Sequence, residues 1–388
     1  MRLLHTSDWH LGRTLFQASL HDAHEAFLDW LLALAQAESV DAVLVSGDVY
    51  DRAVPPLESV ALLDRTFVAF ARAGIPLVVV SGNHDSAVRL GFGSGLAEAS
   101  RIHLRTSVAT LESPVVLGDA HGDVAVYGIP YLLPDAAKDA LGTERSHEAV
   151  LSEARRRILA GARSRGIART VVLSHAFVTG GSVSDSERDL RVGGIGDAPA
   201  HVFDGVSYVA LGHLHRPQQV SLAGSRTVLR YSGSPIAFSF SEKDDAKSVT
   251  LVELDAEGAV TTTAIPTPVP RLLREVRGRL DDLLARADGD LADLADAWVK
   301  VVLTDPSRPT APMDRLRERW PHTLVLDFAP EGEGVSEDTD LARLRRTTDP
   351  VEVCGMFVAY VDRVPPSVDE ATVLRDAVEA VRHAEVSG

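Results

Sequence analysis

Five short motifs each set a metal-ligand residue directly behind a run of apolar residues: Asp8-Trp9-His10, Gly47-Asp48, Gly82-Asn83-His84-Asp85, Ser174-His175 and Gly212-His213-Leu214-His215. The runs in front of them are Arg2 to His5, Ala42 to Val45, Leu77 to Val80, Thr170 to Leu173 and Tyr208 to Leu211. Their Val and Leu content, and the Gly, Ser or Asp that ends them, predict strands buried on both faces of a sheet. Ligands in open α/β sheets sit beyond the carboxyl ends of such strands. The chain must therefore bring the five motifs together at one place.

The residue types at that place specify divalent cations. A pair of them needs one bridging carboxylate plus mixed imidazole and oxygen ligands, a set that suits Mn, Fe or Zn better than Ca or Mg. Two ions about 3.5 to 4 Å apart clamp a phosphate, activate a water and stabilise the leaving oxygen. Asp48 is the natural bridge, since Gly47 beside it removes side-chain bulk where the backbone turns towards the metals. Asp8, His10 and His215 complete one ligand set, and Asn83, His175 and His213 the other. His213 and His215 share a face on a strand and reach different metals in a turn. His84 is left without a metal. Asp85 either orients the His84 ring or caps the following turn. Of the 14 histidines, the nine outside these motifs are assigned no role.

The order DxH, GD, GNHD, SH, GHxH resembles the calcineurin-like metallophosphoesterases. The opening Met1-Arg2-Leu3-Leu4-His5-Thr6-Ser7-Asp8-Trp9-His10-Leu11-Gly12 is similar, more narrowly, to the bacterial SbcD family of DNA-repair nuclease subunits. Ala26-Phe27-Leu28-Asp29-Trp30-Leu31, Val40-Asp41-Ala42, Leu211-Gly212-His213-Leu214-His215-Arg216, and Gly233-Ser234-Pro235 running into Phe238-Ser239-Phe240 carry the same likeness. It is strong up to Pro270 and one of layout beyond. The resemblance implies an α/β fold, a metallophosphoesterase β-sandwich flanked by helices, followed by a small α+β capping domain and a C-terminal helical segment. It implies Mn-dependent hydrolysis of DNA phosphodiesters, as a double-strand 3′–5′ exonuclease and a single-strand or hairpin endonuclease, in repair, recombination and replication. It implies the metal ligands named above, and His84 as a catalytic histidine that contacts phosphate, with Asp85 beside it. The implied partners are DNA ends and hairpins, an SbcC-type ATPase, and a second copy of the chain within a heterotetramer.

One stretch favours an alternative. Val49-Tyr50-Asp51-Arg52-Ala53 also resembles the GDxxDRG segment of protein Ser/Thr phosphatases, where the arginine holds phosphate. A small-substrate or protein phosphoesterase is the competing reading. A non-catalytic scaffold would show eroded ligands, and none is missing.

At 388 residues, 45% of them hydrophobic, two or more domains are expected. The single cysteine, Cys354, fits a reducing compartment, and no apolar leader or spanning segment is seen, so a soluble cytoplasmic protein is expected. A net charge of -16 is the wrong sign for a polyanion's partner. Arginines do cluster, at Arg155 to Arg157, at Arg271, Arg274, Arg277 and Arg279, and at Arg315, Arg317 and Arg319. The first cluster reads as a solvated face. Weak DNA affinity for the chain alone follows.

Helices are expected over Leu20 to Ala37, Leu57 to Ala73 and His147 to Ser164. Behind His175 a Gly-, Ser- and Asp-rich loop, Gly180 to Gly196, faces substrate or is a surface excursion. Tyr231 to Phe240 and Ser248 to Leu254 alternate like antiparallel strands. The Pro-rich Ile265 to Pro270 marks a boundary. Beyond it, strands at Leu272 to Leu280, Ala297 to Leu303 and Thr323 to Phe328 interleave with helices at Asp281 to Ala295 and Pro312 to Trp320. The expected domains are 1–265, 270–332, a linker over 333–349 and a helical segment over 350–388; the resemblance implies nuclease, cap and ATPase-binding roles for the first, second and last, although the last could also dock on its own core. In the last, Val351 to Val361 is helical or strand-like, and Ser367 to Glu370 reads as a capping box opening a helix striped by Val373, Leu374, Ala377, Val378 and Val381. Three Arg against seven Asp and Glu make this segment acidic.

Overall fold

The computed structural model describes residues 1–179, 181–182, 186, 198–269, 271–330, 349–362 and 364–387. The chain divides into two compact units, Met1–Pro270 and Arg271–Gly388. Most of the expected loop over 180–196, and the linker over 333–349 apart from residue 349, lie outside the described residues.

In the first unit the main strands are β1 (Arg2–Thr6), β2 (Ala42–Ser46), β3 (Leu77–Val80), β4 (Ile102–Arg105), β5 (Val115–Asp119) and β6 (Gly122–Ile129). They are followed by β7 (Arg169–His175), β8 (Tyr208–Gly212), β9 (Gln218–Val220), β10 (Val228–Tyr231), β11 (Ser248–Leu254) and β12 (Val260–Pro266). Two six-stranded sheets result, ordered β12-β11-β1-β2-β3-β4 and β9-β10-β8-β7-β6-β5. Each has a parallel centre and antiparallel additions at its edge. Leu3, Leu44, Val78 and Val80 meet Val124, Val171, Leu173 and Ala210 between the sheets. The opposite faces are covered by helices. α1 (His21–Ala37) and α2 (Leu57–Ala73) bury Phe27, Leu31, Leu62 and Phe70 on one sheet. α3 (Pro134–Leu141) and α4 (His147–Ser164) bury Leu141, Val150, Ala154 and Ile158 on the other. Every central strand is thus buried on both faces, which is why its sequence is a continuous apolar run rather than an alternation.

One expectation over this unit needs correction. Tyr231 to Phe240 is not a strand: β10 ends at Tyr231, because Gly233 takes φ +77° where a side chain would strike the His215 carbonyl and Pro217. Pro235 next removes a ladder donor. The strand β12 runs on to Pro266, into the stretch read as a boundary, and Thr267 still donates to the Lys247 carbonyl at 3.0 Å.

The second unit has three parallel strands, β13 (Leu273–Gly278), β14 (Trp298–Leu303) and β15 (Thr323–Phe328), in that order. α5 (Leu280–Ala285) and α6 (Pro312–Arg319) bury Leu280, Leu283, Leu316 and, just beyond, Trp320 against them. The helix expected over Asp281 to Ala295 stops at Ala285, where Gly289 closes a turn onto Arg286, and resumes only as a 3₁₀ turn at Ala292–Asp296. The segment Val351 to Val361 is helical, within α7 (Pro350–Asp362), and α8 (Val368–Ser387) follows. Ser367 caps α8 reciprocally: its backbone N–H and hydroxyl both donate to Glu370 at 2.8 Å, and the Glu370 N–H donates back at 3.3 Å.

Candidate metal centre

All five motifs fall at the carboxyl ends of central parallel strands: β1, β2 and β3 in one sheet, β7 and β8 in the other. The loops after β1 and β2 run side by side, Asp8 N–H donating to the Gly47 carbonyl at 3.0 Å and His10 N–H to the Asp48 carbonyl at 2.9 Å. In the second sheet, His175 pairs with Gly212 in register. Asp8, His10, Asp48, His84, His175, His213 and His215 are all buried, and Asn83 is half-buried.

The backbone is bent to achieve this. Asp8, His10, Asp48 and His213 take φ of 54°, 47°, 46° and 108°, a left-handed conformation that side chains rarely adopt. Such strain persists only where surrounding structure fixes it, and it gathers at functional sites. Gly82 and Gly212 are needed for close approach. A Cβ on Gly82 would overlap the Asp48 carboxylate and backbone, and one on Gly212 the Ser46 carbonyl.

Asp48 is the centre of the cluster. Its Oδ1 accepts the His84 N–H at 2.9 Å, while Oδ2 lies 3.6 Å from His10 Nε2, 3.5 Å from His175 Nε2 and 3.9 Å from His84 Nε2. On one side His10 Nε2 and His215 Nε2 face each other at 3.2 Å. On the other, Asn83 Oδ1 faces His175 Nε2 at 2.9 Å. Three groups bring ligand atoms within 4.8 Å of one another: Asp8, His10 and His215; His10, Asp48 and His84; Asp8, Asp48 and His175. The His213 ring stands outside these groups, edge-on to His175 at 5.4 Å between centroids, while its N–H donates to both Asp8 oxygens at 3.0 and 3.2 Å.

Electrostatics favours the metal-ready forms. Burial, then the neighbouring His215 and His84 rings, holds the His10 imidazole well below its ordinary value. Burial does the same to His213, and lowers His175 to about 4. Neutral imidazoles are what a cation requires. The His175 tautomer is set as well, since Nδ1–H donates to the Ser46 carbonyl at 2.9 Å and leaves the Nε2 lone pair towards Asn83 and Asp48. The His175 Nε2 lone pair and the Asn83 amide oxygen, 2.9 Å apart, repel unless a cation lies between them. The buried carboxylates and imidazoles therefore fit divalent cations.

Asp85 does not orient His84. Its carboxylate accepts from the backbone N–H groups of Val49, Tyr50 and Gly82 at 3.1, 2.8 and 2.8 Å, tying the loop after β2 to the loop after β3. Burial, then the Asp48 charge, raises it to about 6. The His84 ring is held instead by Asp51, whose carbonyl accepts Nδ1–H at 2.7 Å. Asp51 also places Oδ1 3.4 Å from His10 Nδ1. Sequence reasoning noticed Asp51 only for its neighbour Arg52, which is exposed. It passed over Ser7, whose hydroxyl donates to Asp8 Oδ2 at 2.6 Å, and Phe238, whose ring sits edge-on to His10 at 5.2 Å and His215 at 5.4 Å.

A sandwich of two mixed sheets carrying a carboxylate-bridged histidine cluster at strand ends is a phosphoesterase architecture, and residues 1–217 match the calcineurin-like phosphoesterase family. The chain belongs to that family. Within it the likeness is to SbcD-type proteins: the chain is 26% identical over 329 residues to the D subunit of the nuclease SbcCD of Staphylococcus epidermidis, covering 84% of this chain and 85% of that one. Residues 269–359 match the family described as type 5 capsule protein repressor C-terminal domain. Among solved structures, TT1561 of Thermus thermophilus is 16% identical with a TM-score of 0.41, over 68% of this chain and 98% of that one. The calcineurin-like phosphoesterase YfkN from Bacillus subtilis is 11% identical with a TM-score of 0.39, over 69% and 89%.

Proposed function

We propose that the chain is the nuclease subunit of an SbcCD-type complex, hydrolysing DNA phosphodiesters at a two-metal centre with Mn as the working ion. The observation that carries this is Asp48, with three imidazole nitrogens arrayed about one of its oxygens. Two bound divalent cations supply a hydroxide near neutral pH and a clamp for the phosphate. The chain's own residues do the rest. His10, His175, His213 and His215, with Asp8, Asp48 and Asn83, would hold the ions. His84, protonated beside the phosphate and kept in place by the Asp51 carbonyl, presents Nε2–H to the phosphate and stabilises negative charge on the departing or non-bridging oxygen.

The partners are proposed from the likeness to SbcD-type proteins, and the charge and the exposed surfaces bear on each of them. Many of the clustered arginines are already engaged: Arg156 and Arg157 with Glu153, Arg274 with Asp293, Arg315 with Asp281, and Arg319 with Asp288. The chain alone binds DNA weakly, and an SbcC-type ATPase supplies the remaining affinity. That ATPase docks on α7 and α8, where Phe357 and Val373 are each 66% exposed. A homodimer forms through α2 rather than α1. Phe27, Leu28 and Leu31 of α1 are spent on the sheet, whereas α2 exposes Leu57, Val60 and Val68. Phe92 and Leu96, in the segment after β3, are also exposed, and a groove of about 360 Å³ lies between. Repair, recombination and replication in the cytoplasm are the setting. Among the described residues no helix is long and apolar enough to cross a membrane, and the one cysteine, Cys354, is free.

The test is cleavage of an end-labelled DNA hairpin by the purified chain with Mn, with Mg and with chelator, beside a chromogenic phosphate monoester. Hairpin cutting in Mn with the monoester spared is the expected result. Turnover of the monoester alone would make Asp51-Arg52 the better guide and overturn the nuclease reading.

A further inference from the structure

His215 has a second imidazole nitrogen, and the structure gives it a defined partner. Nδ1 lies 2.6 Å from the Ser186 hydroxyl, and the same hydroxyl reaches the Glu242 carboxylate. Glu242 is 1% exposed and forms an ion pair with the buried Lys247 ammonium. Lys247 in turn donates to the His215 carbonyl at 2.9 Å and to Ser234 Oγ at 3.1 Å. Ser186 is itself anchored, its carbonyl accepting from Arg13 at 3.0 Å, and Arg13 stacks over the Phe238 ring at 4.8 Å.

The hydrogen-bond directions along this relay are forced. A carboxylate facing an ammonium accepts and does not donate, so the Ser186 hydroxyl gives its proton to Glu242. With that proton committed, Ser186 Oγ accepts from His215 Nδ1–H. The ring's lone pair is then at Nε2, the atom facing His10 Nε2. We propose that Ser186 and Glu242 are positioning residues of the metal centre, holding His215 as its Nδ1–H tautomer so that Nε2 is presented to the ion shared with Asp8 and His10. This rests on the metal reading of the site. It also gives Ser186 a defined role, because the carboxylate that commonly orients a metal-bound histidine reaches this one through a hydroxyl.

Two readouts test it, neither being turnover. In the full-length, metal-free chain with ¹⁵N-labelled histidine, His215, assigned by its loss in His215→Gln, should show a protonated Nδ1, and Ser186→Ala and Glu242→Gln should shift it towards a tautomer mixture. Calorimetric titration with Mn should show one of two ions weakened about 10- to 100-fold in both variants, with Ser186→Thr restoring the wild-type value. Because Ser186 is only half-buried, its truncation leaves the fold in place even if the Glu242 variant does not fold. Unchanged Mn affinity and tautomer in Ser186→Ala, or a wild-type His215 protonated at Nε2, overturns the assignment alone. A wild-type chain with the Nδ1–H tautomer that takes up no Mn overturns the metal reading and this assignment with it.

Discussion

Asp51 holds His84: its backbone carbonyl accepts the ring Nδ1–H at 2.7 Å, while its carboxylate approaches His10 Nδ1 at 3.4 Å. One residue thus sets the orientation of the histidine proposed to contact the phosphate and approaches the far edge of a proposed ligand. Because the carbonyl does the work on His84, that contact survives substitution of the Asp51 side chain. The two roles of Asp51 are therefore separable.

The division of labour between Asp48 and His84 has a direct test. His84→Ala removes a proton donor but neither bridging oxygen, so kcat should fall about 10²- to 10⁴-fold while metal content stays near two ions per chain. Asp48→Ala removes the oxygen nearest three imidazoles and should lose metal and turnover together. Metal analysis after gel filtration separates the cases. His84 Nε2 lies 3.9 Å from Asp48 Oδ2, so loss of metal in His84→Ala would make it a ligand.

Acid should destabilise the metal-free protein through histidines outside the ligand set. Burial, then the Arg230 charge, lowers His5 to about 3, and burial lowers His24 to about 4. The unfolded chain takes up these protons near pH 6.5, whereas the folded one refuses them until far lower. Their contribution is thus complete above pH 6.5 and is lost as pH falls from there towards 4 and then 3. At pH 5 each costs at most about 2 kcal/mol. Urea unfolding in chelator at pH 7 and pH 5 should show a smaller pH-dependent loss in His24→Gln than in wild type. Equal losses would show that His24 is not held neutral.

The strand ends were legible because metal chemistry and burial wrote the same signal twice, an apolar run and then a ligand. Helices α1, α2 and α4 were legible by their apolar spacing. What stayed hidden was set by contacts distant in sequence. The strand Gly122–Ile129 lies between sheet and helices, and its partner Val115–Asp119 alternates only weakly, so neither has a ligand to flag it. Asp85 read either as a partner for the adjacent His84 or as a cap for the following turn, but its three acceptor bonds reach backbone groups that only the tertiary fold brings near. Ser186 and Glu242 are distant from His215 in sequence, and no spacing rule connects them to an imidazole nitrogen.

The apolar face on α2 and the segment after β3 should bury itself against a second copy. Phe92 is 89% exposed and Leu57 87%, an unusual cost for a free surface. Phe92→Asp should convert the dimer to a monomer in sedimentation equilibrium without changing Mn content, since neither residue touches the metal cluster. A monomeric wild type, or a dimeric Phe92→Asp with Leu57→Asp added, would remove this surface from consideration.

Removing the chain after Asp349 should abolish capture by an SbcC-type ATPase while leaving Mn-dependent cleavage of a simple substrate intact. Helices α7 and α8 pack on each other, yet Phe357, Tyr360, Val373 and Val381 remain more than half exposed. An amphipathic pair that keeps this much apolar surface open suits a groove or helix of another protein. The acidic flanks favour a basic partner surface, so raising salt should weaken capture of the full chain before it affects cleavage. Co-purification retained by the truncated chain would place the ATPase contact elsewhere. Loss of both capture and cleavage would mean that α7 and α8 support the fold, a case that Phe357→Asp in the full chain separates by sparing cleavage.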